Sequence, residues 1–369
     1  MSLTESLDDI ENTSAAPPIL VHRFEPLEDC RWEEFVRRHP RSSVFHSSAW
    51  LEALSRTYGY KPIAYTTSPQ GQELKNAIVF CRIESWLTGR RLVSLPFSDH
   101  CEPLVDTKQD LEALSGALEQ EVRREQWRYL ELRPLGNFDI TNSLHHSTLA
   151  YSFHRLDLDS DLVTLFKNLH KSSIQRKIRR AEREGLRYVE GSSETLLDHF
   201  VGLFTLTRKR HGLPPPPRKW FENLLDCFGE RLKIRVAFTN EQLAAAMLTI
   251  HHKDTMFYKY GCSSARYNKL GSMHLLYWRA IHDAKSLGCR FFDFGRTDAD
   301  QQGLITFKNR WGATESIINY SRYGARDNAT HFLDLNNASG KSGAAKYVLE
   351  HLPLPLLSVT GRVLYRHSA

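Results

Sequence analysis

LAAAMLTIHHKDTMFYKYGCSSARYNKLGSMHLLYWRAIHDAKSLGCRFFDFGRTDADQQGLITFKNRWGATESIINY runs from Leu243 to Tyr320. Two apolar runs, 243–250 and 255–261, flank the polar turn His251-His252-Lys253-Asp254 and predict a β-hairpin. Met273, Leu276, Tyr277, Ala280, Ile281, Ala284 and Leu287 then recur at spacings of three and four, the period of a half-buried helix. Gly288 stands where a helix C-terminus needs a residue with free φ. A short strand follows from Arg290 to Phe294 and leads into Gly295; a second helix is expected over 301–311 and a last strand over 315–320. Hairpin, helix, strand, helix, strand is a mixed α/β layout with a right-handed crossover. The loops at its strand ends gather Asp293, Arg296, Asp298, Lys308 and Arg310, a polar density that marks a candidate site.

Taken with what lies upstream, the stretch completes the second of two copies of one element order. The first half reads as a strand at 19–24, helices at 31–39 and 49–58, and strands at 60–66, 74–86 and 91–97. A helix at 108–126 and strands at 129–135 and 149–158 complete it. The second half opens with helices at 161–170 and 172–184 and a strand at 186–190. Helices at 194–210 and 217–228 follow, broken by Pro214 to Pro217, then a strand at 231–238 that enters the hairpin. The expected organisation is a polar, disordered segment 1–18, two α/β units at 19–157 and 158–322, and a tail at 323–369. No residue-level repeat accompanies the duplication; it rests on element order. The tail has a break at Ser339-Gly340-Lys341-Ser342-Gly343, then an apolar stretch with basic ends. That stretch reads as a helix docking on the body, or as an interfacial membrane contact.

With 369 residues, 41% of them hydrophobic, the chain can bury sizeable cores without disulfides or metals. The formal net charge of +6 permits anionic partners without demanding them. Six scattered cysteines form no framework spacing, the first residues carry no secretory pattern, and no apolar run is long enough to span a bilayer. A cytoplasmic protein is the expectation. No cluster has metal-ligand spacing, so no metal is expected; Asp99-His100-Cys101-Glu102 is the nearest approach to one.

Among the candidates, Lys308 could neutralise a phosphate or a developing oxyanion, or simply face solvent on its helix. Asp293, between Phe292 and Phe294, is a salt-bridging group or a site carboxylate. Arg176, Lys177, Arg179, Arg180 and Arg183 crowd one helix, either as a solvated face or as a phosphate or RNA contact. Gly271 and Ser272 open the 273–287 helix, where backbone N–H groups could hold an anion.

These motifs resemble the Fem-type peptidyltransferases and the wider GNAT superfamily. The resemblance is carried by Tyr258-Lys-Tyr-Gly261, by Gly271 with Leu275-Leu276-Tyr277-Trp278, by Phe292-Asp-Phe-Gly295, and by Gly303 with Phe307-Lys308 and Trp311-Gly312. Arg176-Lys-Ile-Arg-Arg-Ala-Glu-Arg-Glu-Gly185 and Arg208-Lys-Arg-His-Gly-Leu-Pro214 are similar too; the first half matches loosely, through 45–50 and 96–106. The resemblance implies tandem GNAT-like acyltransferase domains, each a mixed sheet flanked by helices. It implies transfer of an acyl or aminoacyl group onto an amine of a peptidoglycan or polysaccharide precursor. The family's functional Phe-Lys pair falls on Phe307-Lys308, and its first-domain aspartate on Asp106 or Asp99.

The expected catalytic residues are therefore Lys308, Asp293 and Asp99. Phe307, Arg296, Tyr258, Tyr260, His100, Asp106, Trp311, Arg176 and Arg180 are expected to contact substrate, and Gly271 and Ser272 the donor. The segment Asn268-Lys-Leu-Gly-Ser-Met273 lacks most of the glycines of an acetyl-CoA pyrophosphate loop. No tightly bound cofactor is expected; the donor is aminoacyl-tRNA or acyl-CoA, with a peripheral contact at the inner membrane face and no DNA. Two other readings stand beside this one: an acyl-CoA-dependent N-acetyltransferase acting on a sugar or small amine, and a non-catalytic RNA- or membrane-associated module.

Overall fold

Each half of the chain folds the same run of elements, with one extra helix before the last strand of the second. The computed structural model describes residues 19–136, 138, 140, 144–326 and 343–367; segment 1–18 and the glycine-serine break up to residue 342 lie outside them. The first half comprises β1 (His22–Phe24), α1 (Arg31–Arg38), α2 (Ser48–Tyr58), β2 (Lys61–Thr66), β3 (Ile78–Ser85), β4 (Gly89–Val93), α3 (Lys108–Arg124), β5 (Tyr129–Leu132) and β6 (His145–Asp157). Then come α4 (Leu162–Asn168) and α5 (Arg176–Arg183), the latter entered through a wide π-type turn at Lys171–Gln175. The second half comprises β7 (Arg187–Gly191), α6 (Glu194–Arg210), α7 (Arg218–Phe228), β8 (Leu232–Thr239), β9 (Gln242–His252), β10 (Thr255–Ser263), α8 (Ser272–Ser286), β11 (Phe291–Asp298), α9 (Gln302–Asn309) and β12 (Thr314–Gly324). The tail forms α10 (Gly343–His351) and α11 (Leu354–His367).

The two sheets expected from the sequence are one. Twelve strands run β1-β2-β3-β4-β5-β12-β6-β11-β10-β9-β8-β7. They are antiparallel except at β4–β5 and β10–β11, the two helical crossovers. The last strand of each half crosses to the other: β6 pairs with β11, β12 with β5, and β6 and β12 pair with each other from Arg155↔Thr314 to His145↔Gly324. A cut at 157/158 therefore divides the chain but not the sheet. Periodicity marks β6 and β12 as strands, yet backbone hydrogen bonds carry no address for their partners.

Buried charge supplies part of that address. Glu131 on β5 accepts hydrogen bonds from Arg133 (2.8 Å) and from Arg322 on β12 (2.6 Å). Burial works to raise the Glu131 carboxyl, but the two guanidiniums outweigh it and hold it at about 2. A depressed acid stabilises the fold above its unfolded pKa and stops doing so as pH falls through the folded one. Stability from this triad should thus be lost between about pH 4.5 and pH 2. Glu131→Gln removes the buried anion that both guanidiniums face, and we expect a loss of about 3–5 kcal/mol by urea denaturation at neutral pH.

On one face of the sheet, α1 and α2 pack with α6 and α7 into a core shared by both halves, in which Trp50 meets Trp220 edge-on at 5.2 Å. On the other face the halves are covered separately, by α3 in the first and by α5, α8 and Trp311 in the second. Strands β3 and β9 alternate between the faces: Val79, Cys81 and Ile83 point one way, Ile78 and Phe80 the other. The strand expected over 91–97 stops at Val93, because Leu95 and Phe97 adopt left-handed backbone at φ 55° and 60°. Such strain in non-glycine residues persists only where surrounding structure imposes it.

Candidate active site

Parallel strands β10 and β11 pair only from Thr255↔Phe291 to Phe257↔Asp293, then separate. Beyond that point β10 bulges between Tyr258 and Tyr260, and β11 shifts register against β6 between Asp293 and Arg296. The result is a notch in the middle of the twelve-stranded sheet. In the first half the equivalent gap between β4 and β5 is bridged by the chain itself, where Cys101 N–H donates to the Arg133 carbonyl at 2.6 Å. The notch of the second half is instead met by the strained 94–101 loop of the first, which brings in Asp99 and His100.

That loop is held from both halves. Arg133 donates to the carbonyl of Leu95 at 2.9 Å, and Tyr320 on β12 donates to the carbonyl of Asp99 at 2.8 Å. His100, boxed edge-on by Phe45 and Phe153, meets Asp293 through Nε2 at 3.2 Å. The other Asp293 oxygen accepts the Gly295 N–H at 2.6 Å, which fixes the carboxylate. In its neutral form, with Nε2–H directed at the carboxylate, the ring presents Nδ1 as an acceptor, and Nδ1 is buried with no hydrogen-bond partner among the described residues. An aspartate fixing the tautomer of a histidine whose second nitrogen is free is the arrangement of a general base and its orienting group.

Asp99 accepts a hydrogen bond from Lys259 at 2.7 Å. Burial pushes its carboxyl up, but Lys259, with Arg296 and Lys308 nearby, holds it below its ordinary value. Asp99 is thus a fixed anion rather than a proton acceptor. Gly295 sits at φ +70°, and a Cβ there would press on the Asp99 carboxylate at 3.2–3.3 Å, so the glycine is required twice over.

Lys308 is 2% exposed, not on a solvated face. From α9 its ammonium donates to the carbonyls of Gly295 (2.8 Å) and Arg296 (3.2 Å), the two peptide oxygens of the β11 shift. Burial pulls its pKa down to about 8, opposed by Asp99 and Asp293. Two of its three protons are engaged, leaving one donor for an oxygen that becomes negative. Arg296 lies over the Tyr151 ring at 4.0 Å and pairs with Asp298 at 2.9 Å.

The other expected residues are placed elsewhere. Asp106 is tied to Arg41 at 2.8 Å beside the start of α3, so of the two aspartates it is Asp99 that reaches the notch. Tyr260 accepts a hydrogen bond from Trp220 at 2.9 Å, and Tyr258 packs on Tyr277; both serve the aromatic core. Trp311 is fully buried beneath Phe307 and Tyr277. Phe307 stands beside Lys308 and helps line a groove of about 370 Å³ with Arg176, Lys177, His274 and Arg310. A second groove of about 560 Å³ is lined by Arg176, Lys177, Arg179, Arg180 and Arg183, so shared residues join the two into one basic trough along α5. At the start of α8, Gly271 at φ +82° has the Lys177 backbone against it and Ser272 is buried. The glycine there is explained by close packing of α5 on α8.

Lys259 is a site residue that the sequence expectations omit; its signal is a lone charge within Met256-Phe257-Tyr258-Lys259-Tyr260. His154, fully buried on β6 with Nε2 against Asn309 at 2.9 Å, carried no comparable signal.

Residues 169–308 match the acetyltransferase (GNAT) domain family. The chain is similar to the UDP-N-acetylmuramoylpentapeptide-lysine N(6)-alanyltransferase of Weissella viridescens, 23% identical over 308 residues, covering 76% of this chain and 88% of that protein. Its fold is similar to the crystal structure of FemX, with TM-score 0.63 and 15% identity over 81% of this chain and 96% of that one. A tandem GNAT protein from the clavulanic acid biosynthesis pathway superposes with TM-score 0.50 and 10% identity, over 82% and 98% of the two chains.

Proposed function

On the premise that the chain is a tandem GNAT-fold protein of the Fem type, we propose that it transfers an acyl or aminoacyl group onto an amine of a cell-envelope precursor. The observation that carries this reading is the convergence of Lys308, Asp293 and His100 at the notch where β10 and β11 part. The acceptor amine attacks the donor carbonyl directly, and its C–N bond forms as the ester or thioester bond to the carrier breaks. His100 Nδ1 takes the proton that the amine sheds and passes it to the departing oxygen or sulfur of the carrier, Asp293 keeps the ring in place, and the free proton of Lys308 meets the oxygen on which charge develops. Asp99, held anionic by Lys259, orients the incoming amine through its N–H groups.

Of the two donors, aminoacyl-tRNA fits better. The trough along α5 presents a row of guanidiniums and ammoniums suited to a phosphate backbone, and the start of α8 is closed by packing. We place the enzyme in the cytoplasm, at the periphery of the inner membrane, where envelope precursors are completed. A donor screen with mass-spectrometric detection of the modified precursor tests this directly: product from charged tRNA and none from acyl-CoA is the expected result, and no product from either rejects the reading. In the same assay, Arg176→Gln with Arg180→Gln should raise the donor KM about tenfold or more at low salt, flatten its salt dependence by about one unit of slope per arginine, and spare kcat.

A further inference from the structure

Among the described residues, the contacts that fasten α11 to the body lie on one of its faces. A Cβ on Gly361 of α11 would collide with the Pro215 carbonyl, Tyr365 reaches the Arg208 guanidinium at 3.1 Å, and the Tyr60 hydroxyl donates to the Tyr365 carbonyl at 2.9 Å. At the end of the helix, His367 Nδ1 meets Ser85 Oγ at 2.9 Å, and Arg91 donates to its carbonyl at 2.7 Å. Leu357, Gly361 and Tyr365 therefore form the buried stripe at four-residue spacing.

The opposite face is apolar as well. Leu356, Val359 and Val363 are each more than half exposed. Trp86, at the β3–β4 turn, is 85% exposed and touches the ring of His367 at 5.8 Å, which sets it beside the helix end, with Leu87 next to it. On a helix wheel Arg362 and Arg366 flank the Val359 stripe on the side away from Val363, both exposed and without an ion pair among the described residues. The folded body does not need this face, since the contacts that fix α11 lie on the other side. An apolar stripe edged by arginines, with a tryptophan at its rim, complements a surface that is apolar beneath and negative on top.

We infer that α11 and the Trp86 turn form a docking face for an anionic lipid bilayer, which the protein enters only to the depth of the headgroups. This deepens the peripheral placement proposed above by naming the surface and the lipid class; the side chains involved lie outside the transfer site. Electrostatic attraction to anionic lipid contributes about fivefold in partitioning per arginine, and the apolar stripe adds to it.

Co-sedimentation of the full chain with vesicles of phosphatidylcholine alone, or of phosphatidylcholine and phosphatidylglycerol in equal parts, tests the inference. The protein should sediment with the anionic vesicles, less so as salt is raised. Arg362→Gln with Arg366→Gln should weaken partitioning by about 20-fold or more. Trp86→Ser with Val359→Ser should weaken it while leaving the thermal midpoint and the transfer rate on a water-soluble precursor unchanged. Equal binding to neutral vesicles, binding that survives both double variants, or a dimer in light scattering that dissociates in Val359→Ser would overturn it, the last by assigning the face to a second copy. Vesicle binding is read without turnover, so it stands or falls separately from the transfer reaction.

Discussion

Lys308→Met should lower the transfer rate about a hundred- to a thousandfold, the usual effect of removing one preorganised donor to a developing oxyanion. Methionine keeps the aliphatic stem between Phe307 and the β11 strand, so the thermal midpoint serves as a control on folding. Turnover near wild type in a folded Lys308→Met protein would take the lysine out of the mechanism. The pH dependence gives an independent check. Burial brings the folded pKa of Lys308 from 10.5 down to about 8. The group is cationic below that value and neutral above it, so kcat should decline as pH rises through about 8. Lys308→Arg should remove this limb, because guanidinium stays charged, yet recover little rate, because its planar fork does not match two carbonyls set for a compact ammonium.

Asp293→Asn is expected to cost as much or more, a loss in kcat of about a hundredfold to ten-thousandfold. A neutral amide can turn its NH₂ towards His100 Nε2, which would then accept, and the ring proton would move to Nδ1. The base would lose its lone pair with the geometry almost intact. His100→Ala should cost a similar factor, and the double variant no more than the worse single one, because the two side chains act as a unit. Losses that multiply would show that the residues work separately and would reject the dyad. Asp99→Asn should chiefly raise the acceptor KM, because Asp99 is held anionic and does not exchange protons in the reaction. The dyad crosses from the first half of the chain to the second, 193 residues apart. A truncation that separates the halves would therefore remove the base as well as the exchanged strands.

How far the sequence foretold this site varies with the residue. Asp293 is marked by its place between Phe292 and Phe294, where an aspartate must be paired or used, whereas Lys308 reads equally as a solvated helix residue until the resemblance sets it in a Phe-Lys pair. His100 was picked out as a contact residue, but its role as the oriented base depends on a carboxylate half the chain away. Asp99 and Asp106 were equivalent as letters; the left-handed turns at Leu95 and Phe97 carry the first into the notch, while Arg41 ties the second beside α3. Tyr258, Tyr260 and Trp311 carried a family motif, yet their rings face the core, and an aromatic residue in a short motif reads the same whether it packs or binds.

Local periodicity and punctuation determined by themselves which segments became helix and which strand, and that the order of elements occurs twice. They do so because apolar spacing, caps and glycines act within a few residues of where they stand. Only the tertiary structure decided that the two sheets are one, that β6 and β12 change sides, and that a loop of the first half meets the notch of the second. Strand pairing and buried ion pairs such as Glu131 with Arg322 join residues 191 apart. Their free energy depends on which surfaces meet after collapse, and no local pattern in the chain records that choice.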